Sequence, residues 1–177
     1  MPEKIGIVVG TNRQGAMSLE MAEYYRAKIE VFGHETVLLY LKDLPNDFAF
    51  SALYQNRGKN DVYNTFQMNI DSVQKLIFFA PEYNGSYPGV LKTFIDGLRY
   101  PDSLANKKVA LVGLANGMLG NAVGLSHLND VLSYMGAHVL GLRVKLGEIS
   151  KHFDGEKISN LTYESFINQQ IETFLAF

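Results

Sequence analysis

Three short segments hold most of the residues able to grip a ligand: GTNRQGAMS (10–18), PEYNGSYPG (81–89) and ANGMLGN (115–121). In the first, Thr11 and Ser18 offer hydroxyl donors, and Arg13 offers a guanidinium fork suited to a phosphate. Where a Gly-rich turn opens a helix, free backbone N–H groups and the helix dipole favour an anion. A plain turn, with Ser18 as helix cap and Thr11 and Asn12 shaping the bend, is the competing reading. It accounts poorly for Arg13. The spacing is neither a Walker A sequence nor GxGxxG.

In the second segment two prolines and two glycines fix the backbone shape. Such a backbone can present N–H and C=O groups to the edge of a flat heterocycle, with Tyr83 and Tyr87 as aromatic walls. A plain strand-to-helix connection needs fewer residues.

Other chemistries lack their residues. There are no cysteines, so disulfides, thiolate catalysis and thiolate metal ligation are excluded. The histidines, at 34, 127, 138 and 152, form no i,i+4 pair and no HExxH, which argues against a metal site. Without a GxSxG elbow a hydrolase triad lacks its anchor, and the adjacent Ser126 and His127 read as helix surface. Glu82 reads as pinning a neighbouring loop or subunit rather than as a base. DGE at 154–156 reads as a turn. No side chain is assigned a catalytic acid or base role.

The elements that must position these loops follow from hydrophobic periodicity. Ile5 to Val9, TVLLYL (36–41), KLIFFA (75–80), VALVGL (109–114) and, more weakly, HVLGLRV (138–144) read as strands. Met21, Tyr25, Ile29 and Phe32 mark a helix. So do Val90, Leu91, Phe94, Ile95 and Leu98, then Leu125, Leu128, Leu132 and Met135, then Ile167, Ile171, Phe174 and Leu175. The polar segment 46–71 reads as a long loop followed by a helix. Alternating strands and helices imply a parallel sheet, and apolar runs imply strands covered on both faces. The crossover rule then favours a doubly wound α/β sheet with ligands at the carboxyl ends of its strands. The three polar segments fall just after strands one, three and four, where this rule needs them.

The bulk numbers fit one folded domain over residues 1–177, since 47% of its 177 residues are hydrophobic. A formal net charge of -2 argues against nucleic-acid or membrane-surface binding. The apolar run in MPEKIGIVVG is too short for a signal peptide or membrane span, so a cytoplasmic protein is expected.

The motifs resemble those of the NADPH-dependent FMN reductase family of flavodoxin-like proteins. Its second signature is close to P-E-Y-N-x-S-x-P-G-x-L-K-x-x-I-D, and PEYNGSYPGVLKTFID from Pro81 to Asp96 meets it throughout. Its first resembles G-[ST]-x-R-x-G-S-x-[NS], where this chain has GTNRQGAMS. Ala16 stands where the family usually has a phosphate-binding Ser, a loss of ~1 kcal/mol unless Ser18 or backbone N–H groups compensate. The third loop lacks the family's Ser/Thr-rich stretch with consecutive glycines.

The resemblance implies a five-stranded parallel sheet in the order 2-1-3-4-5, and FMN as cofactor. The phosphate would sit on Thr11, Arg13, Ser18 and the backbone of Gly15, Ala16 and Met17. The isoalloxazine would lie against Pro81, Glu82, Tyr83, Asn84 and Gly85, and against Asn116, Gly117, Met118 and Leu119. NADPH or NADH would donate hydride, and a small acceptor (free flavin, quinone, azo compound or metal oxyanion) would receive it. A homodimer or homotetramer is implied, with helix 90–99 and segment 46–71 as candidate contacts. The competing function is a flavodoxin-type electron carrier without pyridine nucleotide activity. Such carriers are usually strongly acidic, and the balanced charge disfavours one.

Overall fold

The computed structural model describes residues 3–177. Strands β1 (Lys4–Val9), β3 (Lys75–Pro81) and β4 (Lys108–Leu114) are buried along nearly their whole length. That burial is why they lack polar alternation: helices cover both faces. Strand β2 (Glu35–Tyr40) is the edge beside β1, and every pairing in the sheet is parallel. The order is β2-β1-β3-β4-β5, with β5 at His138–Val139, as expected.

Helices α1 (Met17–Val31) and α7 (Leu161–Ala176), which follows the single turn α6 (Ile149–His152), cover one face. Met21, Tyr25, Ile29, Ile167, Ile171 and Phe174 there pack on Ile5, Ile7 and Val9. Between β2 and β3 the chain passes through a single turn of helix, α2 (Phe48–Ser51), and then α3 (Asp61–Asp71), capped by the Asn60 side chain. Helix α3, with α4 (Gly89–Gly97) and α5 (Ala122–Tyr134), covers the other face through Phe66, Ile70, Leu91, Phe94, Leu125 and Leu128. The chain leaving β1 therefore turns to one face, and the chain leaving β3 to the other. Their divergence opens a crevice at the carboxyl edge.

Two features differ from expectation. Phe32 lies just past the end of α1 and is 55% exposed, because the chain turns out of the helix at Gly33, whose φ is 81°. The fifth strand is broken in two: β5 (His138–Val139) pairs with the start of β4, and β6 (Val144–Leu146) with its end. The sheet therefore has six strands in five positions. The break has a side-chain filling. Gln170 of α7 is 1% exposed, and its Nε2 donates to Leu111 O (3.0 Å) on β4 and to Leu142 O (2.8 Å) in the interruption. Its Oε1 accepts from the Tyr25 hydroxyl at 3.0 Å. One buried amide thus replaces the ladder bonds that a continuous strand would make.

Replacing Gln170 by Leu leaves two carbonyls and a phenol unpaired in the core. The expected loss of stability is about 2–4 kcal/mol in urea unfolding. A loss below about 0.5 kcal/mol would show that the break needs no such bridge.

Candidate functional site

A cavity of about 240 Å³ lies at the carboxyl edge of the sheet, where all three polar loops meet. From the first loop Thr11, Arg13, Gly15, Ala16, Met17 and Ser18 face it. From the second come Pro81, Glu82 and Tyr83, and from the third Asn116. Asn84, Gly85, Gly117, Met118 and Leu119 do not line it. Leu114, Ala115 and Ile149 do; Ala115 opens the third segment, whereas Leu114 and Ile149 lie outside all three.

The first loop is shaped by its own polar groups. Thr11 N donates to Val9 O (2.9 Å), and Arg13 N donates to Thr11 Oγ1 (3.2 Å), so the hydroxyl stabilises a local turn. Thr11 Oγ1 also lies 2.7 Å from the Tyr83 hydroxyl, tying the first loop to the second. The Tyr40 hydroxyl, at the end of β2, donates to the Arg13 carbonyl. Burial holds that phenol above its ordinary pKa, so it remains a donor at neutral pH.

What the loop leaves unpaired is more telling. Helix α1 starts at Met17 behind Ala16, which has no side chain able to cap it. Leu19 N is satisfied by Ala16 O, but the Met17 and Ser18 N–H groups have no partner within the described residues. Ser18 is not the cap: it lies inside the first turn, 2% exposed, and its Oγ has no hydrogen-bond partner. Arg13 is exposed, with no ion pair for its guanidinium among the described residues. Donors without acceptors, on one wall of one cavity, describe an anion site.

The second loop is a two-residue hairpin. Tyr83 and Ser86 exchange both backbone hydrogen bonds (2.9 and 3.1 Å) around Asn84 and Gly85, whose φ values are 51° and 76°. Both central residues are left-handed, as a type I′ turn demands, and Asn-Gly is the pair that tolerates it. Asn84 and Gly85 therefore form the tip and set the direction of Tyr83. Glu82 anchors the loop through its backbone N–H, which donates to Leu114 O at 2.8 Å. Its carboxylate makes no hydrogen bond or ion pair among the described residues. His127 of α5 holds the far side of the hairpin, with Nδ1 2.9 Å from Ser86 Oγ.

The third loop is braced from a segment that the motifs left out. Glu148 N donates to Gly117 O (2.9 Å), and Ile149 N to Ala115 O (3.1 Å). A Cβ at Gly147 would strike the Met118 carbonyl, so only glycine fits there. Met118 and Leu119 stand at the crest of the loop, 82% and 65% exposed. Gly120 and Asn121 are both left-handed, and Asn121 Nδ2 reaches back to Ala80 O at 2.9 Å. That bond ties the start of α5 to the end of β3. The Gly-Asn pair at 120–121 was the available signal for this turn.

Known proteins resemble this chain in sequence and in fold. The sequence model of the NADPH-dependent FMN reductase family matches residues 3–149. A 2-hydroxy-1,4-benzoquinone reductase from a Burkholderia species is 30% identical over 148 residues, 76% of this chain and 73% of that protein. A quinone reductase from Escherichia coli is 28% identical over 144 residues, 79% of this chain and 76% of that one. The fold superimposes on a flavoenzyme NAD(P)H:(acceptor) oxidoreductase from Paracoccus denitrificans with a TM-score of 0.78, at 20% identity over 98% of this chain and 96% of the other.

Ser18→Ala removes a buried hydroxyl that has no partner. Without ligand, the variant is expected to match the parent in unfolding free energy or exceed it by up to about 1 kcal/mol. A loss above about 1 kcal/mol would mean that the hydroxyl is already satisfied.

Proposed function

Because this chain belongs to the NADPH-dependent FMN reductase family, we propose that the cavity between its three loops holds FMN by the phosphate on the first loop and by the ring on the second and third. The enzyme is an NAD(P)H-dependent FMN oxidoreductase. The observation that carries the placement is the buried, partnerless Ser18 hydroxyl beside the uncapped start of α1.

The residues present suit FMN. Ser18 Oγ and the N–H groups of Met17 and Ser18 donate to phosphate oxygens, and Arg13 supplies the counter-charge. Ser18 thus takes over the contact that Ala16 cannot make. Thr11 has a different part: its hydroxyl is already committed to Arg13 N and Tyr83, so it sets the loop rather than binding the anion directly. Pro81, Tyr83 and Asn116 flank the ring, with backbone of the second and third loops at its polar edge. When bound, FMN supplies the redox chemistry, taking hydride from NADPH or NADH and passing it to an acceptor. Tyr83, 36% exposed, leaves an open aromatic wall on which a flat acceptor can lie. A small quinone is the acceptor class that the names of the relatives support.

The enzyme acts as a homodimer or homotetramer in this reading. Phe50, Tyr54 and Met68 in segment 46–71 are exposed apolar side chains that such a contact would cover. Light scattering across a dilution series should show a dimer or larger species, with flavin released as it dissociates. A monomer that keeps its flavin would contradict this.

Under anaerobic conditions, flavin bands of the loaded enzyme should bleach within seconds of adding NADPH or NADH. Flavin that binds yet stays oxidised with both donors would overturn the reductase reading. Arg13→Ala should weaken FMN binding by about 1.5–3 kcal/mol in a fluorescence titration, the range for a charge-assisted contact. An unchanged dissociation constant would remove Arg13 from the phosphate site.

A further inference from the structure

Behind the first loop lies a second cavity of about 130 Å³. It shares a wall with the first. The turn at Thr11 sends alternate residues to opposite sides: Thr11 and Arg13 line the larger cavity, while Asn12 between them lines the smaller. Asn12, Lys42 and Asn46 form its polar side, and Leu44, Phe48 and Val90 its apolar wall. Leu44 and Phe48 are buried; the three polar residues are exposed.

Those polar side chains are idle. Asn12, Lys42 and Asn46 have no side-chain hydrogen bond or ion pair with any described residue. Lys42 is the one charged residue among those lining the cavity. Asp43 and Asp47 follow Lys42 and Asn46 in the chain, but neither lines it, and the Asp47 carboxylate accepts from the Ser51 hydroxyl at 3.1 Å. The cavity therefore offers one cation and two amides against an apolar wall, and it suits an anionic group attached to a ring or sugar.

We propose that this cavity docks the phosphorylated adenosine end of the hydride donor, with Lys42 and Asn12 reading its 2′-phosphate. The inference rests on the flavin reductase reading of the neighbouring cleft. FMN brings a single phosphate, for which the first cavity already has Arg13 and Ser18. The other reactant that must reach the same cleft is a pyridine nucleotide, whose charge lies far from its nicotinamide. Lys42, in the cavity on the other side of the first loop, can meet that distant charge. The chain as a whole carries a formal charge of -2, so it offers a polyanionic donor no general attraction, and a local cation must supply it. Lys42 and Asn12 would then be the residues that discriminate NADPH from NADH.

The test pairs direct binding with kinetics on the FMN-loaded enzyme. By calorimetry, 2′,5′-ADP should bind about tenfold or more tightly than 5′-AMP, without displacing FMN. Lys42→Glu should erase that difference. It should also lower kcat/KM for NADPH about tenfold or more and change that for NADH less than about twofold. Asn12→Ala should act in the same direction by a smaller factor. Equal binding of the two probes, or equal losses with both donors, overturns the inference, and so does release of FMN by 2′,5′-ADP. Failure of the protein to bind FMN or to reduce it would instead strike the reading of the main cleft. Lys42 is exposed and unpaired, so its substitution leaves folding intact.

Discussion

Covering both faces of the central sheet is the constraint from which the rest of the structure follows. Strands β1, β3 and β4 are too apolar to expose, so α1 and α7 must seal one side and α3, α4 and α5 the other. The chain leaving β1 and the chain leaving β3 consequently part company at the carboxyl edge. The gap between them cannot be filled by either helix layer. Loops fill it instead, and their backbone groups must find partners within it or meet a ligand.

Most do find partners. Tyr40, Tyr83, Asn121 and the segment at 146–149 each tie one loop to a strand or to another loop. At the start of α1, Ser18 Oγ and two backbone N–H groups stay unsatisfied; among the described residues the other buried side-chain atom without a partner is Asn121 Oδ1, at the start of α5. An unpaired buried hydroxyl is costly to a folded protein, so its place beside Arg13 is informative. The scaffold is rigid around a patch of donors, and this is what preorganised anion binding requires. The broken fifth strand shows the opposite solution. There the unsatisfied carbonyls receive a buried amide, Gln170, and the gap is structural.

Much of this was legible in the sequence. The apolar runs gave four strands to within one residue, and the convergence of three loops on one edge follows from the parallel topology. Arg13 stood out from its neighbours alone; Asn84 and Gly85, set against the flavin ring by the motif, form the tip of a hairpin and do not line the cavity. What escaped depends on partners distant in the chain. Gln170 reads as a polar interruption of an apolar stripe, and nothing near it says that it will bridge residues 111 and 142. Ser18 and Thr11 look interchangeable as hydroxyl donors; the bonds of Thr11 Oγ1 to Arg13 N and the Tyr83 hydroxyl set the two apart. Met118 and Leu119 sit inside a motif yet stand clear of the cavity, because the turn at Gly120 and Asn121 lifts them to the crest. The bracing by Gly147 and Ile149 comes from a part of the chain outside every motif.

The central claim is that the free donors at the start of α1 hold the FMN phosphate. Its most direct test compares the dissociation constants of FMN and riboflavin, which share the ring and ribityl chain and differ by the phosphate. Several charge-assisted contacts at about 1.5–3 kcal/mol each predict riboflavin binding at least ~100-fold weaker. Equal affinity for the two would contradict the account, because the donors at Arg13, Met17 and Ser18 would then have no part in holding the cofactor.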